Sequence, residues 1–162
     1  MKINPNGWVP VLSWDDGAMY ECAAITMFLC DRYPEAQLAP KLEAPERSLF
    51  LQTLMYFVSS VQIAFQLDYQ PYRFAEKPGE ELSAQRRGHL RLRETWKFVN
   101  DQIGDNHWIL GNVFSTADIY LYMLTTWLNQ SRGHPAIAEF PNVQRIADEV
   151  AKIASIRKVY GL

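Results

Sequence analysis

Cysteine is scarce in this chain, with only Cys22 and Cys30 present. They lie eight residues apart on one predicted helix, whereas side chains that meet on a helix are three or four apart. A mutual disulfide is not expected, which fits a reducing compartment. Long apolar runs are missing too. No stretch approaches the roughly 18 uncharged apolar residues of a membrane span, and the opening seven residues lack a signal-peptide core. The expectation is a soluble, cytoplasmic protein with no membrane partner. Charge of one sign is not in excess. Lys and Arg number 16 against 18 Asp and Glu, a net charge of −2, so no global field draws in nucleic acid. The three histidines, His89, His107 and His134, show no HExxH-type spacing and lie far from both cysteines. No metal site is expected. A GxSxG nucleophile elbow and a Gly-rich phosphate loop are also absent.

What is present is a globular composition. Of the 162 residues, 48% are hydrophobic and 13% aromatic, enough to bury a core and to exclude disorder. Pro10 to Trp14 and Ala18 to Glu21 are short apolar runs separated by Asp15-Asp16-Gly17. Asp-Gly supplies the positive φ angles of a tight turn, so a β-hairpin is predicted. Ala23 to Leu29 favours helix, which should stop near Tyr33 because Pro34 follows. Pro34 to Pro45 holds three prolines and reads as a linker.

Everything beyond reads as helical. Leu51, Leu54, Met55, Val58, Val61 and Phe65 follow a 3.6-residue period. Pro71 and Pro78 bracket a loop. His89, Leu92, Trp96, Val99 and Ile103 mark a second helix, with Gly104 at its C-cap position. Ser115 and Asp118 form a capping box for a third, with Phe114 and Ile119 as the staple. That helix, Ile119 to Leu128, is apolar on nearly every face and should be central. Replacing Asp118 by Ala should cost about 1 kcal/mol. Two shorter helices follow, one from Pro141 and one near Ser155 to Val159. Arg86, Arg87, Arg91 and Arg93 have Glu80, Glu81 and Glu94 alongside, which reads as a solvated face rather than a nucleic-acid site.

Several segments resemble one family. Asn4-Pro5-Asn6-Gly7-Trp8-Val9-Pro10-Val11-Leu12 resembles the "NPxGxVPxL" segment of glutathione S-transferases. Asp16-Gly17 followed by Tyr20-Glu21-Cys22-Ala23-Ala24-Ile25 resembles their "DG…ESxAI" segment. Asp31-Arg32-Tyr33-Pro34 resembles the end of the next helix. Gly111 to Ile119 resembles their "G…FSxADI" capping box, and Phe140-Pro141-Asn142-Val143 a late helix start. The matches keep order and spacing along almost the whole chain. The resemblance implies a mainly α fold: a partial thioredoxin-like ββα unit over residues 1–34, a linker over 35–44, and an all-helical C-terminal bundle over 45–162.

By the same resemblance, Val9 pairs its backbone with the cysteinyl part of glutathione and Pro10 is cis. Glu21 and Cys22 hold the γ-glutamyl end at a helix N-terminus. Tyr56, Tyr69 and Tyr72 fall where the family lines its hydrophobic co-substrate pocket. Cys22 stands where the family usually has Ser, and a thiol is the weaker hydrogen-bond donor. The family's opening β-α-β unit, with its thiol-activating residue, has no counterpart after Met1. A glutathione-binding transferase of hydrophobic electrophiles without autonomous activity is therefore implied. The alternative is a non-catalytic interaction or ligand-binding module. The strand from Pro10 would also present an open edge, which a second copy or a partner chain is expected to cover.

Overall fold

The computed structural model describes residues 3–162; the expectation attached to Met1 falls outside them. Strands β1 (Val11–Trp14) and β2 (Gly17–Tyr20) form an antiparallel hairpin in which Trp14 pairs with Gly17. The turn is therefore Asp15-Asp16, and none of Asp15, Asp16 and Gly17 has a positive φ. The predicted Asp-Gly turn is corrected on this point. Gly17 is instead a steric requirement, because a Cβ there would lie 2.7 Å from the Trp14 ring. That ring continues across the hairpin and stacks on Phe28 at 5.6 Å.

Helix α1 (Cys22–Arg32) follows, ending one residue before Tyr33. The proline-rich linker is tied to the bundle. Leu38 O accepts from Thr116 N–H at 2.8 Å, and Pro40 O accepts from Arg47 Nη1 at 3.0 Å.

The first bundle helix is a rod with a defect. Helix α2 (Arg47–Tyr56) passes into a π-helical stretch, Phe57–Val61, and then α3 (Gln62–Tyr69). Gln62 N–H bonds Phe57 O, five residues back, which is the wide turn of a π-helix. By length and composition this 23-residue rod could cross a membrane, which corrects the expectation that no stretch approaches such a length. Here it is a core element, with Phe50, Leu54, Phe57, Val61 and Phe65 buried.

Helix α4 (Glu81–Ile103) ends at Gly104, φ 51°. Arg87 and Arg91 pair with Glu94, and Arg93 with Glu139, as a solvated face would. Helix α5 (Thr116–Thr125) is central and stops short of Leu128. The Thr125 and Thr126 hydroxyls bond carbonyls three residues back, and the next N–H groups do the same. This frees Trp127 from the helix. Helices α6 (Pro141–Val150) and α7 (Ala154–Tyr160) complete the chain. Val143, Ile146, Ala147 and Val150 are buried on α6, as their spacing predicts.

The capping box at α5 is present and does more than cap. Asp118 Oδ2 accepts from Ser115 N–H at 2.9 Å and from the Ser115 hydroxyl at 3.3 Å. Ser115 Oγ accepts from Ala117 N–H at 3.2 Å. Asp118 Oδ1 accepts from Ile109 N–H at 2.9 Å, clamping the preceding loop. Burial pushes the Asp118 carboxyl above its ordinary range, against the pull of these donors. Asp118→Ala should therefore cost about 2 kcal/mol rather than 1, since it strands two buried N–H groups. Urea unfolding reads the difference, and an unchanged midpoint would remove the clamp from the account.

Candidate functional site

The four residues expected to hold glutathione meet in one cavity. Val9, Pro10, Glu21 and Cys22 line a space of about 250 Å³, closed from the bundle side by Val58 and Gln62. The Val9–Pro10 peptide is cis. Val9 is 90% exposed, so its backbone is open to a ligand. Asn4 fixes the loop before it, donating from Nδ2 to Trp8 O at 2.9 Å while its Oδ1 accepts from Asn6 N–H.

Glu21 precedes α1 with φ 78° and ψ 112°. A positive φ at a non-glycine residue costs on the order of 1–3 kcal/mol and persists where the surroundings impose it. Among the described residues no side chain caps α1, whose first residue Cys22 lines this cavity; an uncapped helix start suits a carboxylate. Beneath lies Tyr120, whose hydroxyl donates to Gln62 Oε1 at 3.0 Å. Burial, with the Cys22 thiol beside it, pushes the Tyr120 hydroxyl well above its ordinary range. It stays protonated and serves as a donor.

A larger cavity of about 660 Å³ adjoins this one, sharing Trp8, Val9, Gln62 and Gln66. Its aromatic walls are Trp8, Phe65, Tyr69 and Trp127. Of the three tyrosines predicted for a co-substrate pocket, only Tyr69 lines it. Tyr56 lies in a separate narrow cleft and packs on Phe98 at 4.7 Å, and Tyr72 is exposed outside the lining. The π-helical stretch between Tyr56 and Tyr69 and the turn at Pro71 separate them in space. Trp8, Trp127 and Arg73 are lining residues that sequence reasoning did not single out. Trp8 sits inside the NPxGxVP-like segment, which was the available signal.

Behind Tyr69 lies a polar hub that residue spacing also missed. Asp68 is buried, and its carboxylate receives three side chains: Arg132 Nε at 2.7 Å, His134 Nε2 at 2.9 Å and His89 Nε2 at 3.0 Å. Asn129 N–H donates to His134 Nδ1 at 3.1 Å. That nitrogen must therefore accept, which leaves the proton on Nε2 facing Asp68. Arg132 also stacks over Tyr69 at 4.7 Å, and the Tyr69 hydroxyl donates to Trp127 O at 2.9 Å. Asp68, His89 and His134 bring their ligand atoms within 4.8 Å of one another, a cluster of metal-ligand types not anticipated from spacing. A metal on His134 Nε2 would move its proton to Nδ1, against the Asn129 N–H, and would meet the Arg132 charge. The arrangement is a hydrogen-bonded hub that fixes one wall of the larger cavity.

A hairpin and helix set against a helical bundle, with a cis-Pro cavity between them, define the glutathione S-transferase architecture. A family model described as "Glutathione S-transferase, C-terminal domain" matches residues 61–153. Glutathione S-transferase GstA of Escherichia coli O157:H7 is 31% identical over 126 residues, covering 77% of this chain and 59% of that protein. The GST-like protein YncG of Escherichia coli strain K12 is 30% identical over 159 residues, covering 97% and 74%. Among solved structures, a sphingomonad glutathione S-transferase complexed with glutathione superposes with a TM-score of 0.82 at 26% identity, covering 99% of this chain and 77% of that one. The bacterial GST BphK gives 0.84 at 25%, covering 99% and 78%. The chain belongs to the glutathione S-transferase family.

Proposed function

We propose that this chain binds glutathione in the smaller cavity and receives a hydrophobic electrophile in the larger one beside it. The observation that carries the reading is the convergence of Val9, the cis Pro10, Glu21 and the uncapped start of α1 on one space. In this assignment the open Val9 backbone pairs with the cysteinyl unit. The Glu21 carboxylate takes the γ-glutamyl ammonium, and the α1 N–H groups take its carboxylate. Cys22 leaves the backbone donors in place and weakens only the side-chain contact. These residues hold and orient the tripeptide, and none of them is assigned the activation of its thiol. Transfer to the second substrate would form a sulfur–carbon bond by thiolate attack, the thiol proton passing to solvent and the leaving group of the attacked carbon departing with its bonding pair.

The outer edge of β1 carries no strand partner among the described residues. We propose that a second copy or a partner chain covers it, since free edges of apolar strands pair readily.

Calorimetric titration with reduced glutathione tests the binding reading. Saturable binding is expected, with Glu21→Gln weakening it about 10-fold through the lost charge-assisted bond. Absence of binding at millimolar ligand would overturn it in favour of a non-catalytic module.

A further inference from the structure

Within the larger cavity one side chain is out of keeping with a purely apolar second substrate. Among the described residues of the lining Arg73 alone is charged, and no carboxylate joins it there. Its guanidinium lies 4.3 Å from the centre of the Trp8 ring and 5.7 Å from that of Tyr72. Among the described residues it forms no ion pair. Arg132, 4.7 Å from Tyr69, is by contrast neutralised by Asp68. Stacking uses the flat face of a guanidinium and leaves its in-plane N–H groups unmet. Those donors form a fork matched to a carboxylate. The nearby lining offers aromatic surfaces on Trp8, Phe65 and Trp127, and neutral amides on Gln66 and Gln70. A volume of about 660 Å³ lies within the range of small-molecule sites.

We infer that the second substrate is an aromatic carboxylic acid, its ring held among Trp8, Phe65 and Trp127 and its carboxylate forked by Arg73. This rests on the transferase reading above, since it names the class of molecule that the larger cavity takes. Arg73 is itself exposed, so a neutral apolar electrophile would leave its donors to water and gain nothing from them. An acidic aromatic satisfies charge and ring together. Glutathione also carries carboxylates, so the same fork could serve the tripeptide, and the test must separate the two.

The test is calorimetric titration with 2-naphthoate and with 2-naphthylmethanol, which share a ring and differ in charge. Each is run with and without saturating reduced glutathione. The acid should bind about 10-fold tighter than the alcohol, the gain of one charge-assisted fork. The preference should persist with glutathione bound. Arg73→Gln should abolish it without changing the affinity for the alcohol, and Arg73→Lys should restore part of it. Equal affinities for the two probes would overturn the inference. So would displacement of naphthoate by glutathione together with an equal loss of glutathione affinity in Arg73→Gln. If glutathione fails to bind while the Arg73-dependent preference for the acid remains, the transferase reading falls and the acid site stands.

Discussion

Asp68→Ala should destabilise the protein by about 3 kcal/mol, a large share of the total stability of a domain this size. Asp68 is buried, and among the described residues no other carboxylate pairs with His89, Arg132 or His134. Removing it leaves His134, itself fully buried, with an N–H and no acceptor. Arg132 and His89 are partly exposed and can turn to water, which keeps the cost at the lower end for a broken buried pair. Asp68→Asn keeps the shape and one acceptor oxygen and should recover part of the loss. Burial works against the Asp68 charge, yet hydrogen bonds from Arg132, His134 and His89 outweigh it and hold the carboxyl below its ordinary range. With the folded value depressed, the linked stability is fully present above the unfolded-chain pKa of about 3.9 and is lost as pH falls through the lower folded value. The gap between wild type and Asp68→Asn should therefore narrow below about pH 4. Urea unfolding at several pH values decides this, and a gap that widens in acid would contradict the sign.

Gly88→Ala should cost about 2–3 kcal/mol, although alanine is the better helix former by about 1 kcal/mol. Helices α3 and α4 approach closely at this glycine. A Cβ on it would lie 2.9 Å from Leu67 Cβ, 3.1 Å from Ala64 O and 3.1 Å from Asp68 N. Two of these three atoms are backbone and cannot turn aside. Relief requires α3 to move away from α4, carrying Asp68 and Tyr69 with it. Thermal unfolding of Gly88→Ala reads the cost. A stability equal to wild type would show that the helices separate freely.

The parts of this fold that could be read in advance are those whose cause is local. Ser115 and Asp118 are three residues apart and announce their helix by the chemistry of its first turn. Gly104 and Pro34 end helices through their own backbone constraints. The hub at Asp68 was hidden for the opposite reason: its partners lie 21, 64 and 66 residues away. No periodicity marks them, and only the packing of α3, α4 and the turn after α5 brings them together. The candidate site divides in the same way. Val9, Pro10, Glu21 and Cys22 were legible as contiguous motif residues, and the structure places them around one cavity. Of the tyrosines that the resemblance assigns to its neighbour, Tyr56 and Tyr72 fall outside the lining. Trp127 reaches it only because two threonines end α5 early.

The wide turn at Phe57–Val61 also has a consequence for how this family can vary. A π-helical stretch is a helix that has taken up one extra residue in a wide turn, so the helix beyond keeps its path, whereas the same residue held in α geometry would turn everything downstream by about 100°. The rod therefore works like a combination dial. Its first half is set by the core contacts of Phe50 and Leu54, and its second half by the click at residues 57–61. Gln62, Gln66 and Tyr69 face the two cavities only at this setting. A relative that kept all five residues but closed the wide turn to a regular α-helix would keep the same length and nearly the same composition. It would present a different row of side chains to its ligands, so a change of substrate could arise from a substitution within residues 57–61 without any change in the pocket.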